Sequence, residues 1–285
     1  MPVIGGMEIK MGVFFDIYNV RKPGKGVEKK EYTPRFQLYF ELVWRKMWMF
    51  CKTNLLYLAA CVIALILIWF GYSAVAQGTL ATLKGVMFLT VCTIYLSIVG
   101  IGIFAPGLSY LTRNFARERH VWIFSDFKDA VVDNFKKSVI LFIADSLIVY
   151  VSYIVFTMYA QFLLISKLMY IPMGFFAVCL LIYLMMHFYI YPIMVTFDLS
   201  MKDILKDSLI LTVAHFPWNL LILFIVSVFS FLIYLFNITI GLLIAGSIGI
   251  TLLNFTVNFM VDPIIDRYLY IPAEIIAEDE KNQSN

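Results

Sequence analysis

Asp145 and His187 are a carboxylate and an imidazole that this 285-residue chain places well inside apolar runs, FKKSVILFIADSLIVYVSYIVF and CLLIYLMMHFYIYP. An ionised aspartate near the centre of a membrane helix costs about 2.5–3.5 kcal/mol on insertion scales, and each neighbouring Leu, Ile, Phe or Val returns about half a kcal/mol. The helix still inserts, and the carboxylate must face protein or water. If the two helices run antiparallel, Asp145 lies seven residues into one and His187 four residues before the end of the other. At about 1.5 Å per residue their depths then differ by only a few ångström. The plainer reading of such a pair is a polar bridge between helices; the functional one is a protonatable couple lining a substrate or proton path.

Two further polar seams surround this pair. Ser138, Asp145, Ser152 and Tyr159 recur every seven residues and draw a stripe down one helix. Ser247, Thr251, Asn254 and Asn258 form another, beside a small-residue face of Gly241, Ala245 and Gly249. Close helix packing accounts for both, and lining of a lumen is the alternative. No other catalytic constellation is legible. The four cysteines, Cys51, Cys61, Cys92 and Cys179, lack CxxC or Cys/His spacing, and the three histidines are far apart. Neither HExxH nor a G-x-S-x-G elbow occurs. Gly24 and Gly26 with their lysines imitate a phosphate loop but lack the strand before and the helix after. The expectation is a chain with no cofactor, no metal and no enzymatic role.

The elements that hold these residues are membrane helices. The sequence is 62% hydrophobic and 14% charged with mean hydropathy +0.87, far above a soluble domain. It predicts an all-α integral membrane protein with six transmembrane helices, arranged as three helical hairpins with short cytoplasmic amphipathic helices. The spans fall at about 54–72, 85–104, 138–159, 172–191, 217–236 and 238–260, with Pro106 preventing continuation of the second and Pro192 ending or kinking the fourth. Residues 1–34 form a basic arm, 35–262 the membrane domain and 263–285 a tail. Between the second and third spans, Ala105 to Ser138 carries Arg113, Arg117, Arg119, Lys128, Lys136 and Lys137. There Ser125 caps a helix with Asp126 in its first turn and Phe127, Val131 and Phe135 on one face. Ser200 and Asp203 open another amphipathic helix with a capping box. Of 22 Lys and Arg residues, only Lys84 and Lys167 fall in the loops predicted to lie outside, which puts both termini in the cytoplasm. No cleaved leader is expected, and the positive charge is read by position rather than as nucleic-acid binding.

Three junctions repeat an aromatic followed by a polar residue before a span: FCKTNLLYL from Phe50, FKKSVILF from Phe135 and FPWNLLILF from Phe216. Each would introduce one hairpin.

The sequence resembles the YesL-like membrane proteins, the domain-of-unknown-function 624 family. The resemblance rests on FFDIYN (Phe14 to Asn19), PGKGVEKKE, WRKMWMFCKTNLLYL and, most specifically, APGLSYLTRNFARERHVWIFSDFKDA (Ala105 to Ala130). It implies a bacterial inner-membrane protein with an accessory role beside a carbohydrate ABC importer, whose permease subunits would be its partners. It supplies no catalytic residues, and the end of the first span, WFGYSAVAQGT, departs from the pattern. The permease loop that engages an ATPase is not recognisable, so the chain is not read as the permease. Arg113, Arg117, Arg119, Phe127, Lys128 and Phe135 are the candidate partner contacts on the cytoplasmic side, with flotation in the headgroup layer as the alternative. A stand-alone transporter or channel using Asp145 and His187, and a sensor or scaffold for sugar-responsive signalling, stay open. So does the oligomeric state.

Overall fold

The computed structural model describes residues 34–75, 81–162, 166–235 and 237–270, and every element among them is helical. The N-terminal arm with Gly24 and Gly26, and the tail from residue 271 onward, lie outside the described residues. In chain order the helices are α1 (Arg35–Ala60), α2 (Val62–Val75), α3 (Ala81–Ile98), α4 (Ala105–Ala116), α5 (Ile123–Asp133) and α6 (Phe135–Phe162). They continue with α7 (Tyr170–Met194), α8 (Met201–Ala214), α9 (Phe216–Leu235), α10 (Ile238–Ile244) and α11 (Ile250–Ile265). A π-turn at Ala245–Gly249 joins α10 to α11. Four stretches are long and apolar enough to cross a membrane: Phe135–Tyr159, Lys167–Met194, Phe216–Leu235 and Ile238–Leu269. The apolar part of α3, Leu83–Leu96, is shorter. Residues 39–285 form one unit by contacts, and the packing below is within it.

Several boundaries differ from the sequence reading, each for a local reason. The expected first span at 54–72 is interrupted at Cys61, where α1 gives way to α2. The expected second span stops at Ile98 rather than at 104. Gly100 takes φ +71° there and its amide reaches back to the Tyr95 carbonyl at 2.8 Å, a left-handed helix stop that glycine adopts without strain. Pro192 does not end its helix, which runs to Met194. Ser125 is not the cap of α5. Trp122 occupies that position, and the Asp126 carboxylate accepts the Trp122 amide at 2.9 Å, half of a capping box. Ser200 does cap α8, accepting the Asp203 amide, and Asn237 caps α10 through Ile240.

The core is built around the second half of α7, where Met185 to Met194 are all buried. Helices α4, α8, α9 and α11 pack on it. The surprise is α4. It falls in the stretch read as a polar connector, yet ten of its twelve residues are buried. Pro106 starts it, a position where a missing N–H costs nothing. At Gly107 a Cβ would lie 2.6 Å from the Phe127 ring, so only glycine lets α5 lie this close.

Helix α6 behaves oppositely. Ser138, Leu141 and Asp145 are buried along one stripe, and beyond them no described residue from 146 to 184 is buried. The distal half of α6 and the first half of α7 thus form an arm, with Phe156 and Phe176 touching edge to face at 5.7 Å.

Candidate functional site

At the root of that arm the structure brings Asp145 and His187 into contact. His187 Nε2 lies 3.1 Å from Asp145 Oδ1, and the Tyr183 hydroxyl donates to the same oxygen at 2.5 Å. His187 Nδ1 lies 3.1 Å from the Tyr183 carbonyl, which can only accept, so Nδ1 carries a hydrogen. The contact between Nε2 and Oδ1 then needs a second proton. Either an imidazolium faces a carboxylate or a neutral imidazole faces a carboxylic acid, and one proton is shared by the pair in both descriptions. Asp145 and His187 are each 2% exposed, and Asp145 Oδ2 has no hydrogen-bond partner among the described residues. The hydroxyl of buried Tyr191, whose ring is 5.9 Å from that of His187, is likewise unpartnered. Of the predicted stripe only Asp145 belongs to this centre. Ser138 is buried, bonding the Asn134 carbonyl, while Ser152 is half-buried and bonds back to Ile148.

The second seam separates in the same way. Asn254 Oδ1 accepts from Thr112 Oγ1 at 2.7 Å, and Asn258 Nδ2 donates to Asn254 Oδ1 at 2.9 Å, so α11 is stitched to α4. Ser247 is exposed and bonds its own helix at Ile244. The Thr251 amide donates to Asn54 Oδ1 of α1 at 2.9 Å.

A third constellation was not anticipated. Arg113 on α4 and Arg117 at its C-cap, four apart, face Asp262 on α11 and Asp266 at its C-cap, also four apart. Arg113 Nε donates to Asp262 Oδ1 at 2.8 Å and Arg117 Nε to the same atom at 2.9 Å. Arg117 Nη2 pairs with Asp266, and Arg113 Nη1 donates to the Pro192 carbonyl at 3.1 Å. Burial pushes the Arg113 guanidinium below its usual pKa, and the Asp262 charge opposes that shift. The cluster ties α4, α7 and α11 together. The matching four-residue spacing of two arginines and two aspartates was the available signal, and the predicted end of the last span near Met260 hid it.

These contacts decide which of the candidate partner contacts face outward. Arg113 and Phe127 are buried and Arg117 is engaged with both aspartates, so none of the three is presented to a partner. Arg119, Lys128 and Phe135 are exposed.

Residues 80–156 match the profile of a family described as a protein of unknown function, DUF624. The likeness covers that segment of the chain. This segment contains the APGLSYLTRNF motif, α4 with its two arginines, and Asp145, whereas His187, Asp262 and Asp266 lie beyond it. No curated protein matches the chain. No solved structure matches it either.

Proposed function

We propose that this DUF624-containing chain is a non-enzymatic, six-span subunit or accessory protein that assembles with a carbohydrate ABC importer in the bacterial inner membrane, both termini in the cytoplasm. The four long apolar helices supply four crossings, and α2 with α3 supplies the other two. Their mutual fit supports a hairpin: a Cβ on Gly71 would lie 3.0 Å from Phe88 and one on Gly85 2.9 Å from Tyr72. The observation that carries the assembly reading is the arm formed by α6 and α7. An apolar hairpin without a buried described residue from 146 to 184 offers both of its sides to other membrane helices. Its Ser146 and Thr157 hydroxyls bond back to Phe142 and Tyr153, so they need no outside acceptor. Photo-crosslinking residues at Tyr153 and Phe175, 70% and 73% exposed, test it in cells. Crosslinks to importer membrane subunits are expected, and none from buried Leu141. Crosslinks to lipid alone from both arm positions would overturn it.

The contact between Asp145 and His187 favours a second reading, a small transporter that moves a proton or cation through this pair. Purified protein in liposomes then moves solute by itself, and Asp145→Asn lowers that flux at least about tenfold, the scale expected when a buried charged hydrogen bond worth 1.5–3 kcal/mol is lost. Equal flux in the variant would exclude the pair.

A further inference from the structure

The arginine cluster opens onto a cavity of about 260 Å³ at the end of α4, lined by Tyr110, Arg113, Arg117, Arg119 and Thr196 among others. This is smaller than the roughly 300–1,000 Å³ of a drug-sized site and suits a headgroup-sized ligand. Its charges do not cancel internally. Asp262 and Asp266 answer Arg113 and Arg117, while the Arg119 guanidinium has no carboxylate partner among the described residues. Arg113 is 4% exposed, and its Nη2 is buried without a hydrogen-bond acceptor, 3.8 Å from Asp266. One cationic side chain and one buried donor are therefore left for an anionic oxygen ligand, and planar guanidinium groups bind phosphate well.

A second cavity of about 150 Å³ adjoins the first, since Tyr110 and Val195 line both. Its far wall is acidic, with Asp126, Asp129 and Asp133 on one face of α5. Asp126 is occupied by the Trp122 amide, and Asp129 accepts from Ser125 at 3.4 Å, whereas Asp133 has no ion-pair partner among the described residues. These carboxylates do not converge on a metal position. The suitable cation is an ammonium group, which donates in three directions.

The two poles lie side by side, and the surrounding helix exposes Trp122 and Phe124 at 71% and 72%, side chains suited to headgroup depth. We propose that the paired cavities bind a zwitterionic phospholipid headgroup of the phosphoethanolamine type, phosphate toward Arg119 and Arg113, ammonium toward Asp129 and Asp133. The inference rests on the cytoplasmic, membrane-surface placement of this connector and not on the importer partnership. A quaternary ammonium cannot donate to the aspartates, and a glycerol headgroup supplies no cation, so the site discriminates among phospholipids of equal chain length.

The test uses full-length protein, delipidated in mild detergent, with lipid retention read by native mass spectrometry and stabilisation by thermal shift. Dioleoyl phosphatidylethanolamine is expected to be retained and to raise the Tm; the phosphatidylcholine and phosphatidylglycerol counterparts do so at least about tenfold less well, one charge-assisted contact being worth about 1.4 kcal/mol or more. Arg119→Gln and Asp133→Asn each weaken retention while leaving the lipid-free Tm unchanged. Soluble glycerophosphoethanolamine is included to separate the lipid from a free metabolite. Equal retention of all three lipids, equal retention by both variants, or stabilisation by the soluble headgroup without the lipid would each overturn the proposal.

Discussion

Asp262→Ala is expected to destabilise the protein by about 3–5 kcal/mol, because it removes the carboxylate bonded to the buried Arg113 guanidinium and leaves Asp266 alone against two arginines. Asp262 is 2% exposed and accepts from both Arg113 and Arg117, and through Arg113 it also holds the Pro192 carbonyl in place. The cost comes from uncompensated charge rather than from loss of an intrinsically favourable pair. Replacing a buried pair by apolar residues of similar volume is often neutral or stabilising. The double variant Arg113→Met with Asp262→Leu is therefore expected to recover much of the loss, Asp266 remaining for Arg117. Thermal unfolding in detergent of the single and double variants separates these terms. A single variant as stable as the parent would show that the cluster does not hold α4 against α11.

Asn54→Leu is expected to cost about 3 kcal/mol or more, from three orphaned backbone groups at roughly 1 kcal/mol or more each. The π-turn at Ala245–Gly249 breaks the regular ladder between α10 and α11, and one side chain repairs it. Asn54 Nδ2 donates to the Ala245 and Gly246 carbonyls at 3.0 and 2.7 Å, while Oδ1 accepts the Thr251 amide at 2.9 Å. Within a membrane no water substitutes for such bonds. Asn54→Asp keeps the acceptor for Thr251 and replaces the donating Nδ2 by one oxygen that repels both the Ala245 and Gly246 carbonyls, so it is expected to be no better than leucine. Hydrogen exchange at Thr251, compared between parent and variant, reports the local opening directly. Tyr57, one turn along α1, acts likewise at the other irregular segment: its hydroxyl donates to the Leu96 carbonyl and accepts the Ile101 amide. Helix α1 thus supplies the polar groups that two broken helices lack.

Asn54 was visible in the sequence only as one polar residue in a recurring junction. That junction proves informative, because Asn54, Ser138 and Asn219 are all fully buried. Asn219 accepts from the Tyr189 hydroxyl and donates to the Thr212 carbonyl, binding α9 to α7 and to the end of α8. The three sit at nearly equal intervals of 84 and 81 residues. What the junctions do could not be read, since a sequence carries no mark of a π-turn 190 residues away. That Asp145 and His187 lie at similar depth was legible, because depth along antiparallel helices follows from residue counting alone, whereas their contact depends on how the helices face each other. Helix α4 was not, because Arg113 and Arg117 made it look solvated. Its apolar positions Leu108, Leu111 and Phe115 follow helical spacing, and the aspartates that neutralise it come from the far end of the chain. The irregularity at Cys61 was not legible, because apolar composition runs unbroken through it.

The six-span accessory reading and the headgroup site both require the segment from Ala105 to Ser138 to face the cytoplasm. Cysteine placed at exposed His120 in a cysteine-free background, probed with a membrane-impermeant maleimide, measures this directly. Intact cells are predicted to leave His120→Cys unlabelled and permeabilised cells to label it fully. Labelling from outside intact cells would contradict the orientation, and with it the headgroup site and the partner-facing surface.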